Sequence, residues 1–325
     1  MLTCFLFCRA SALQLNFSKE NMINAVKLFL LIIIPLALFS SCGEGTVDIG
    51  QNTYTPKIVV EGYLYPGQKV SNIRITKNIP LNTAPDTLSL ILFTADVRII
   101  DLQSNKEYKL TFSPNSYAFE YTGNDLEIGY NKSYRLSVSA NVNGQNLATS
   151  CITHIPNSGF KIERQLSQIQ PLFYQEKDAI GNIKNYSLVF NPSPGTSFYA
   201  FSIVALDAND STFNYNNAYI DVKREDVIKD LDRYKYQFRW LQNVNSTNGS
   251  ITFEMNWINF WFYGKYRVVA YAGDDNYKNF SLTYRLVQEF DGNFHEPAMA
   301  LEGDGIGVFG SVIADTVYLE VKPPL

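Results

Sequence analysis

Tyr134-Arg135-Leu136-Ser137-Val138-Ser139-Ala140-Asn141-Val142-Asn143-Gly144-Gln145-Asn146-Leu147-Ala148-Thr149-Ser150-Cys151 is the stretch whose reading decides the fold. Apolar side chains return at every second position, at Tyr134, Leu136, Val138 and Ala140 before the turn and at Leu147 and Cys151 (with Thr149 between them) after it. A period of two places one set of side chains on one face of a strand. Asn143-Gly144 supplies the two left-handed backbone positions that a two-residue hairpin turn requires.

The same alternation runs upstream. It appears in Ile58-Val59-Val60-Glu61-Gly62-Tyr63-Leu64, in Val70 to Thr76 with Ile73 and Ile75, and at Val97 and Ile99. It continues in Tyr108, Leu110 and Phe112, then in Tyr117, Phe119 and Tyr121. Seven short strands with turn residues between them predict an immunoglobulin-like or fibronectin-like β-sandwich over residues 57–155. Leu126-Glu127-Ile128-Gly129 ahead of Tyr134 resembles the tyrosine-corner region of fibronectin type III domains. Pro156-Asn157-Ser158-Gly159 then reads as a boundary.

From 160 to 325 the pattern predicts a second β-rich domain with one or two packed helices. Tyr199, Phe201, Ile203 and Ala205 alternate, as do Tyr234, Tyr236, Phe238 and Trp240. Ile251, Phe253, Met255 and Trp257 form a third set, and Tyr266, Val268 and Ala270 a fourth. Val222 to Leu231 has helical spacing, and Asp275 to Phe290 reads as a longer helix with Tyr277, Phe280, Tyr284 and Val287 on one face. The fold expected is therefore mainly β, a sandwich followed by a second β-rich part.

The amino terminus reads as an address. Lys27 precedes the apolar run Leu28 to Phe39, and Ser40-Ser41-Cys42 closes it with small residues. About 20 apolar residues are needed to cross a membrane, and this run is shorter. Phe39-Ser40-Ser41-Cys42-Gly43 is similar to a bacterial lipobox, with Phe39 where Leu is usual. The expectation is a signal peptide over 22–41, cleavage before Cys42, and lipid on the Cys42 thiol that anchors the chain to the membrane. Residues 1–21 read as a start placed too early, with Met22 as initiator. Residues 42–56 read as a polar tether.

Composition narrows the partners. Of 325 residues, 18% are charged and 46% hydrophobic, with 22 Phe and 21 Tyr, which suits a globular chain rich in strands. The net charge is −4, and removing residues 1–41, which hold Arg9, Lys19, Lys27 and Glu20, makes it more negative. A basic stripe is missing, so nucleic acid is not an expected partner. Past Cys42 only Cys151 remains, so no internal disulfide is expected and packing must supply stability.

Residues that could carry chemistry also have plainer roles. Gly305-Ile306-Gly307-Val308-Phe309-Gly310 satisfies G-x-G-x-x-G, but a strand pattern follows it where a dinucleotide site needs a helix start. Close strand approach explains these glycines better. His154 and His295 are the two histidines, too few and too far apart for zinc. A Cys151–His154 catalytic pair competes with a buried thiol on a strand face, and the buried thiol is the better account. Asp207, Asp210, Asp274 and Asp275 lack the EF-hand pattern and read as loop and helix-cap residues, with calcium binding as the alternative. No cofactor and no enzymatic activity are expected.

The unusual stretch is Trp257-Ile258-Asn259-Phe260-Trp261-Phe262-Tyr263. Strand alternation through Trp257 cannot bury all the rings that follow. Phe260, Trp261 and Tyr263 are therefore candidates for a ligand or partner surface, set against an interdomain contact.

Several pieces together resemble a family of Bacteroidota cell-envelope lipoproteins catalogued as domain of unknown function 4249 (DUF4249). They are Ile58 to Leu64 after the tether, Ala95-Asp96-Val97-Arg98-Ile99, Tyr134-Arg135-Leu136-Ser137-Val138, Phe294-His295-Glu296-Pro297, and Gly305 to Gly310. They occur in family order across nearly the whole chain past Cys42. Ala300-Leu301-Glu302-Gly303-Asp304 stands where the family usually has an Asn-rich stretch. The resemblance implies an outer-membrane lipoprotein that works as a binding or accessory subunit, with a TonB-dependent receptor as partner. It carries over no catalytic residue. The alternatives are an envelope enzyme acting on a polymer, and a structural or adhesion lipoprotein.

Overall fold

The Tyr134–Cys151 hairpin forms as its alternation requires. In the computed structural model, which describes residues 54–324 except 81–82, 84–85, 216, 218–222, 246–248 and 285–296, Asn143 and Gly144 both take positive φ, 52° and 85°. Val142 then pairs with Gln145, and Leu136 with Cys151. The expected signal peptide, Cys42, the tether as far as residue 53, His295 and residues 285–290 of the expected 275–290 helix lie outside the described residues.

The strands in chain order are β1 (Ile58–Leu64), β2 (Arg74–Lys77), β3 (Asp96–Asp101), β4 (Lys106–Lys109), β5 (Thr111–Ser113), β6 (Ala118–Glu120), β7 (Ser133–Val142) and β8 (Gln145–His154). After them come β9 (Lys161–Ile162), β10 (Leu172–Phe173), β11 (Tyr186–Asn191), β12 (Tyr199–Ala205), β13 (Tyr236–Leu241), β14 (Ile251–Met255), β15 (Gly264–Gly273), β16 (Glu302–Gly303) and β17 (Gly305–Lys322). The helices are α1 (Arg224–Lys229), α2 (Leu231–Lys235) and α3 (Asp275–Thr283). The chain is mainly β, a sandwich followed by a second β-rich half with packed helices.

In the first half one sheet has the order β16-β8-β7-β3-β4. It faces β1, β2 and the β5–β6 hairpin across a core that contains Val60, Ile73, Ile75, Val97, Ile99, Phe119, Tyr134, Leu136 and Val138. Tyr134 makes the expected tyrosine corner. Its hydroxyl donates to the Glu127 carbonyl at 3.1 Å and accepts from the Gly129 amide at 3.0 Å. Each such bond contributes about 1 kcal/mol and fixes the chain's entry into β7. Tyr117, expected on the inward face, instead takes a positive φ of 51° in the turn before β6 and is exposed.

In the second half β13-β12-β15-β17 packs on a small sheet of order β14-β11-β9. Tyr199, Phe201, Ile203 and Ala205 all face that core, with Tyr266, Val268 and Ala270 of β15 beside them. The helical reading of 222–231 becomes two short helices, with Val227 buried.

The expected division of the chain at 156–159 needs correction. β17 runs for 18 residues through both halves. Its first part, Gly305–Ser311, pairs in parallel with β1, and Phe309 sits in the first core. Its second part, Val312–Val321, pairs antiparallel with β15, and Val317 and Leu319 sit in the second core. The last strand therefore completes the first sandwich as well as the second, and residues 54–325 form one compact unit. Pairing between β1 and β17 spans almost the whole sequence, beyond the reach of a local pattern.

Candidate functional site

The aromatic stretch singled out from sequence is largely a packing element. Trp257–Asn259 is a short 3-10 turn, not a continuation of β14. Because the turn resets the alternation, Phe260 and Phe262 both point inward. Phe260 is 1% exposed, edge-on to Tyr186 at 5.1 Å and to Tyr266 at 5.0 Å, and this removes it as a surface residue. Phe262 is sealed by Tyr266, whose hydroxyl accepts from the Phe262 amide at 2.9 Å and donates to its carbonyl at 2.8 Å. Trp261 is half-buried, its ring centroid 5.2 Å from that of Tyr234 and 6.3 Å from that of Phe213. Tyr263, also half-buried, donates to Asn214 Oδ1 at 2.7 Å and meets Tyr174 edge-on. Both rings lean on the second core and present no bare platform.

Cys151 is buried, as its alternation with Leu147 predicts. Burial pushes its thiol up to about 12, with the charges of Asp274 and Glu302 adding to the effect, so at neutral pH it is a protonated, unreactive group. His154, three residues along the strand, lies on the opposite face. Its Nδ1 is 3.0 Å from the hydroxyl of Ser133, its cross-strand partner. No carboxylate among the described residues hydrogen-bonds the imidazole, so the arrangement lacks the orienting group of a nucleophile–base–acid set.

The glycine motif opens β17. Gly307 has φ 109°, and a Cβ there would lie 2.1 Å from the Val60 carbonyl oxygen, so the motif serves close strand approach. Asp274 caps α3, accepting from the Tyr277 amide at 2.9 Å. It also ties in β8 through Thr153 Oγ1 at 2.6 Å and β17 through the Ser311 amide at 3.2 Å. Asp210 pairs with Arg224, and Asp207 accepts from the Lys265 amide. Among the described residues no group of three or more His, Cys, Asp or Glu side chains could hold a metal ion.

The ring-bearing surface lies elsewhere, on the face of the long sheet turned away from the second core. Sheet register brings Trp240, Ala200, Tyr271 and Ala314 into one row across β13, β12, β15 and β17. The next row is Phe238, Ser202, Val269 and Thr316. Small side chains on β12 thus form a floor between rings. Tyr63 of β1, Tyr65 just beyond it and Tyr277 of α3 complete a patch in which Phe198, Ala200, Tyr277 and Val312 are the buried residues. The rings of Tyr63 and Tyr277 meet edge-on at 5.6 Å, and those of Phe238 and Trp240 lie 6.1 Å apart.

Between these rings is a cleft of about 240 Å³, lined by Tyr63, Tyr65, Ser202, Phe238, Tyr271, Tyr277 and Val312. Burial raises the phenol pKa of all four tyrosines; Glu61 and then Tyr65 add to the shift of Tyr63, and Tyr271 to that of Tyr65. They are therefore neutral at physiological pH, each both donor and acceptor. Tyr277 is engaged by Ser281, whereas Tyr63, Tyr65 and Tyr271 make no hydrogen bond through their hydroxyls to any described residue. Sequence alternation did register Tyr236, Phe238 and Trp240 but could not say which face meets the core. Gln237 and Arg239 turn toward the second core's side, where they bond Asn259, and the rings take the open side.

Fold and site together define a protein of two joined β-sandwiches, with a ring-lined cleft on the face of the sheet that joins them. The chain belongs to the family described as Domain of unknown function (DUF4249), which it matches over residues 44–315. Two solved structures are distantly similar. A tetra-tandem repeat in the extending region of a large adhesion protein is 11% identical, with a TM-score of 0.20 over 81% of this chain and 49% of that one. The chicken CNTN1 FN1-FN3 domains are 11% identical, with a TM-score of 0.17 over 80% of this chain and 65% of theirs. The chain spans about half the length of the first and just under two thirds of the second. No curated protein matches it.

Proposed function

We propose that this chain is a lipid-anchored cell-envelope protein, attached to the outer membrane through Cys42, that acts as a binding or accessory subunit and partners a TonB-dependent receptor. The observation that carries the binding role is the cleft between Tyr63, Tyr65, Phe238 and Tyr271, because rings left half-exposed beside small residues offer contact area that the protein's own packing does not use. The anchor rests on the order Lys27, apolar run, Ser40-Ser41-Cys42.

The test is fractionation of the native host. Wild-type protein should enter the outer-membrane fraction with a diacylated amino-terminal Cys42, and Cys42→Ser should shift it to the soluble periplasm or leave it unprocessed. A mature terminus at another, unmodified residue overturns the anchor. Affinity purification from gently solubilised membranes should bring down a TonB-dependent receptor in near-stoichiometric amount, and recovery of the protein alone overturns the partner.

A further inference from the structure

We infer that the cleft between Tyr63, Tyr65, Tyr271 and Phe238 is a saccharide site that takes a neutral pyranose ring. The inference rests on the binding role proposed above and names its ligand class.

Three properties of the cleft select the ligand. The first is charge. The lining residues Tyr63, Tyr65, Ser202, Phe238, Tyr271, Tyr277 and Val312 carry no charged group, and their phenols stay protonated. Two carboxylates act on Tyr63 from outside the lining: Glu61, which faces Arg74 at 3.6 Å, and Asp274, which is committed to Thr153, Tyr277 and Ser311. Arg267 acts on Tyr271 in the same way, and because the lining itself holds no charged group a neutral ligand fits better than an ion.

The second property is the kind of polar group on offer. The cleft lies on a sheet face, where the main-chain amides and carbonyls of β12, β15 and β17 are spent on their ladders. A peptide main chain would find no backbone partners there. What remains are hydroxyls: Tyr63, Tyr65 and Tyr271, unpaired within the described chain, and Ser202 on the floor. A purely apolar ligand such as an acyl chain would strand those groups on binding. A ligand that is itself rich in hydroxyls satisfies them.

The third is shape. Phe238 of β13 and Tyr271 of β15 stand on either side of Ser202 on β12, with Tyr63 and Tyr65 also lining the space. This leaves a trough whose walls can lie against the C–H face of a sugar ring while its rim meets the hydroxyls. At about 240 Å³ the space is below the roughly 300–1,000 Å³ of pockets for drug-sized ligands, which suits one ring of a longer chain.

The test uses the purified full-length protein and four neutral hexasaccharides, with glucose, mannose, galactose or xylose backbones, read by calorimetry and saturation-transfer NMR. At least one should bind with a Kd on the order of 1 mM or tighter, which sugar at about 10 mM saturates. Tyr65→Ala and Tyr271→Ala should each weaken that binding by roughly tenfold, equivalent to one decade of Kd. Tyr271→Phe keeps the ring and the packing and should weaken it severalfold through the lost hydroxyl alone. Tyr130→Ala, at an exposed ring outside the cleft, should leave it unchanged. Failure of all four sugars to bind overturns the inference, as does binding that Tyr65→Ala and Tyr271→Phe leave intact. Membrane fractionation reads the anchor independently, so a lipidated protein that ignores every sugar overturns the ligand class alone.

Discussion

Asp274 is a single carboxylate that holds three elements, capping α3 while binding Thr153 of β8 and the Ser311 amide of β17. Burial raises its pKa, and the hydrogen bonds it accepts offset that only in part. The folded chain therefore binds a proton that the unfolded chain has released, and stability declines as pH rises from the ordinary carboxylate value of about 3.9 through the raised one. Asp274→Asn keeps a capping oxygen and removes the titration. The variant should show a flatter dependence of unfolding free energy on pH across that window, measured by urea denaturation at a series of pH values. An unchanged slope would mean that Asp274 does not titrate there. Its place just ahead of a helical pattern marks this aspartate as a loop or cap residue from sequence alone. Its links to β8 and β17 depend on chain segments more than 30 residues away on either side, which no spacing rule reaches.

At the scale of elements, β17 and its glycines show how one pattern admits two readings. Gly305 to Gly310 has the spacing of a phosphate-binding turn, yet Gly307 lies inside a strand, where the Val60 carbonyl occupies the space of a side chain. Gly307→Ala should cost on the order of 3 kcal/mol or more, because left-handed strain of about 1–3 kcal/mol is joined by displacement of β1. Gly144→Ala is the control. Gly144 also has positive φ, but nothing lies within 4 Å of an added Cβ, so the cost should stay near 1–2 kcal/mol, roughly the penalty for an L-residue in that region. Equal losses in the two variants, by thermal or chemical melting, would show that crowding at β1 adds nothing. The aromatic run teaches the same lesson. Alternation required some rings of 257–263 to leave the strand face, but the 3-10 turn that places Phe260 and Phe262 in the core is set by what they pack against, Tyr186, Tyr266 and Phe213.

For the whole molecule, the first sandwich depends on the last strand. Residues 57–155 contain the hairpin, the tyrosine corner and most of the first core, but not Phe309 or the parallel partner of β1. An isolated 57–155 fragment should therefore lack a cooperative melting transition, because β1 is left with an open edge and the core with a gap. The full chain should unfold with far-ultraviolet circular dichroism and tryptophan fluorescence in register, as expected when one strand is common to both cores. A fragment that melts as sharply as the full chain would show that β17 is dispensable to the first half.

The sequence by itself determined the class of fold, the β7–β8 hairpin with its register, the tyrosine corner and the burial of Cys151. Each follows from local periodicity or from turn chemistry within a few residues, where backbone geometry leaves little choice. It also pointed to Cys42, through the order of charge, apolar run and small residues. Tertiary structure alone decided that β17 joins the two halves, that Phe260 is core, and that Phe238 and Trp240 face outward with Tyr63, Tyr65 and Tyr271. The physical reason is common to all three. A period of two says that a strand has two faces, but which face meets the core, and which distant strand lies alongside, depends on packing between segments that only folding brings together.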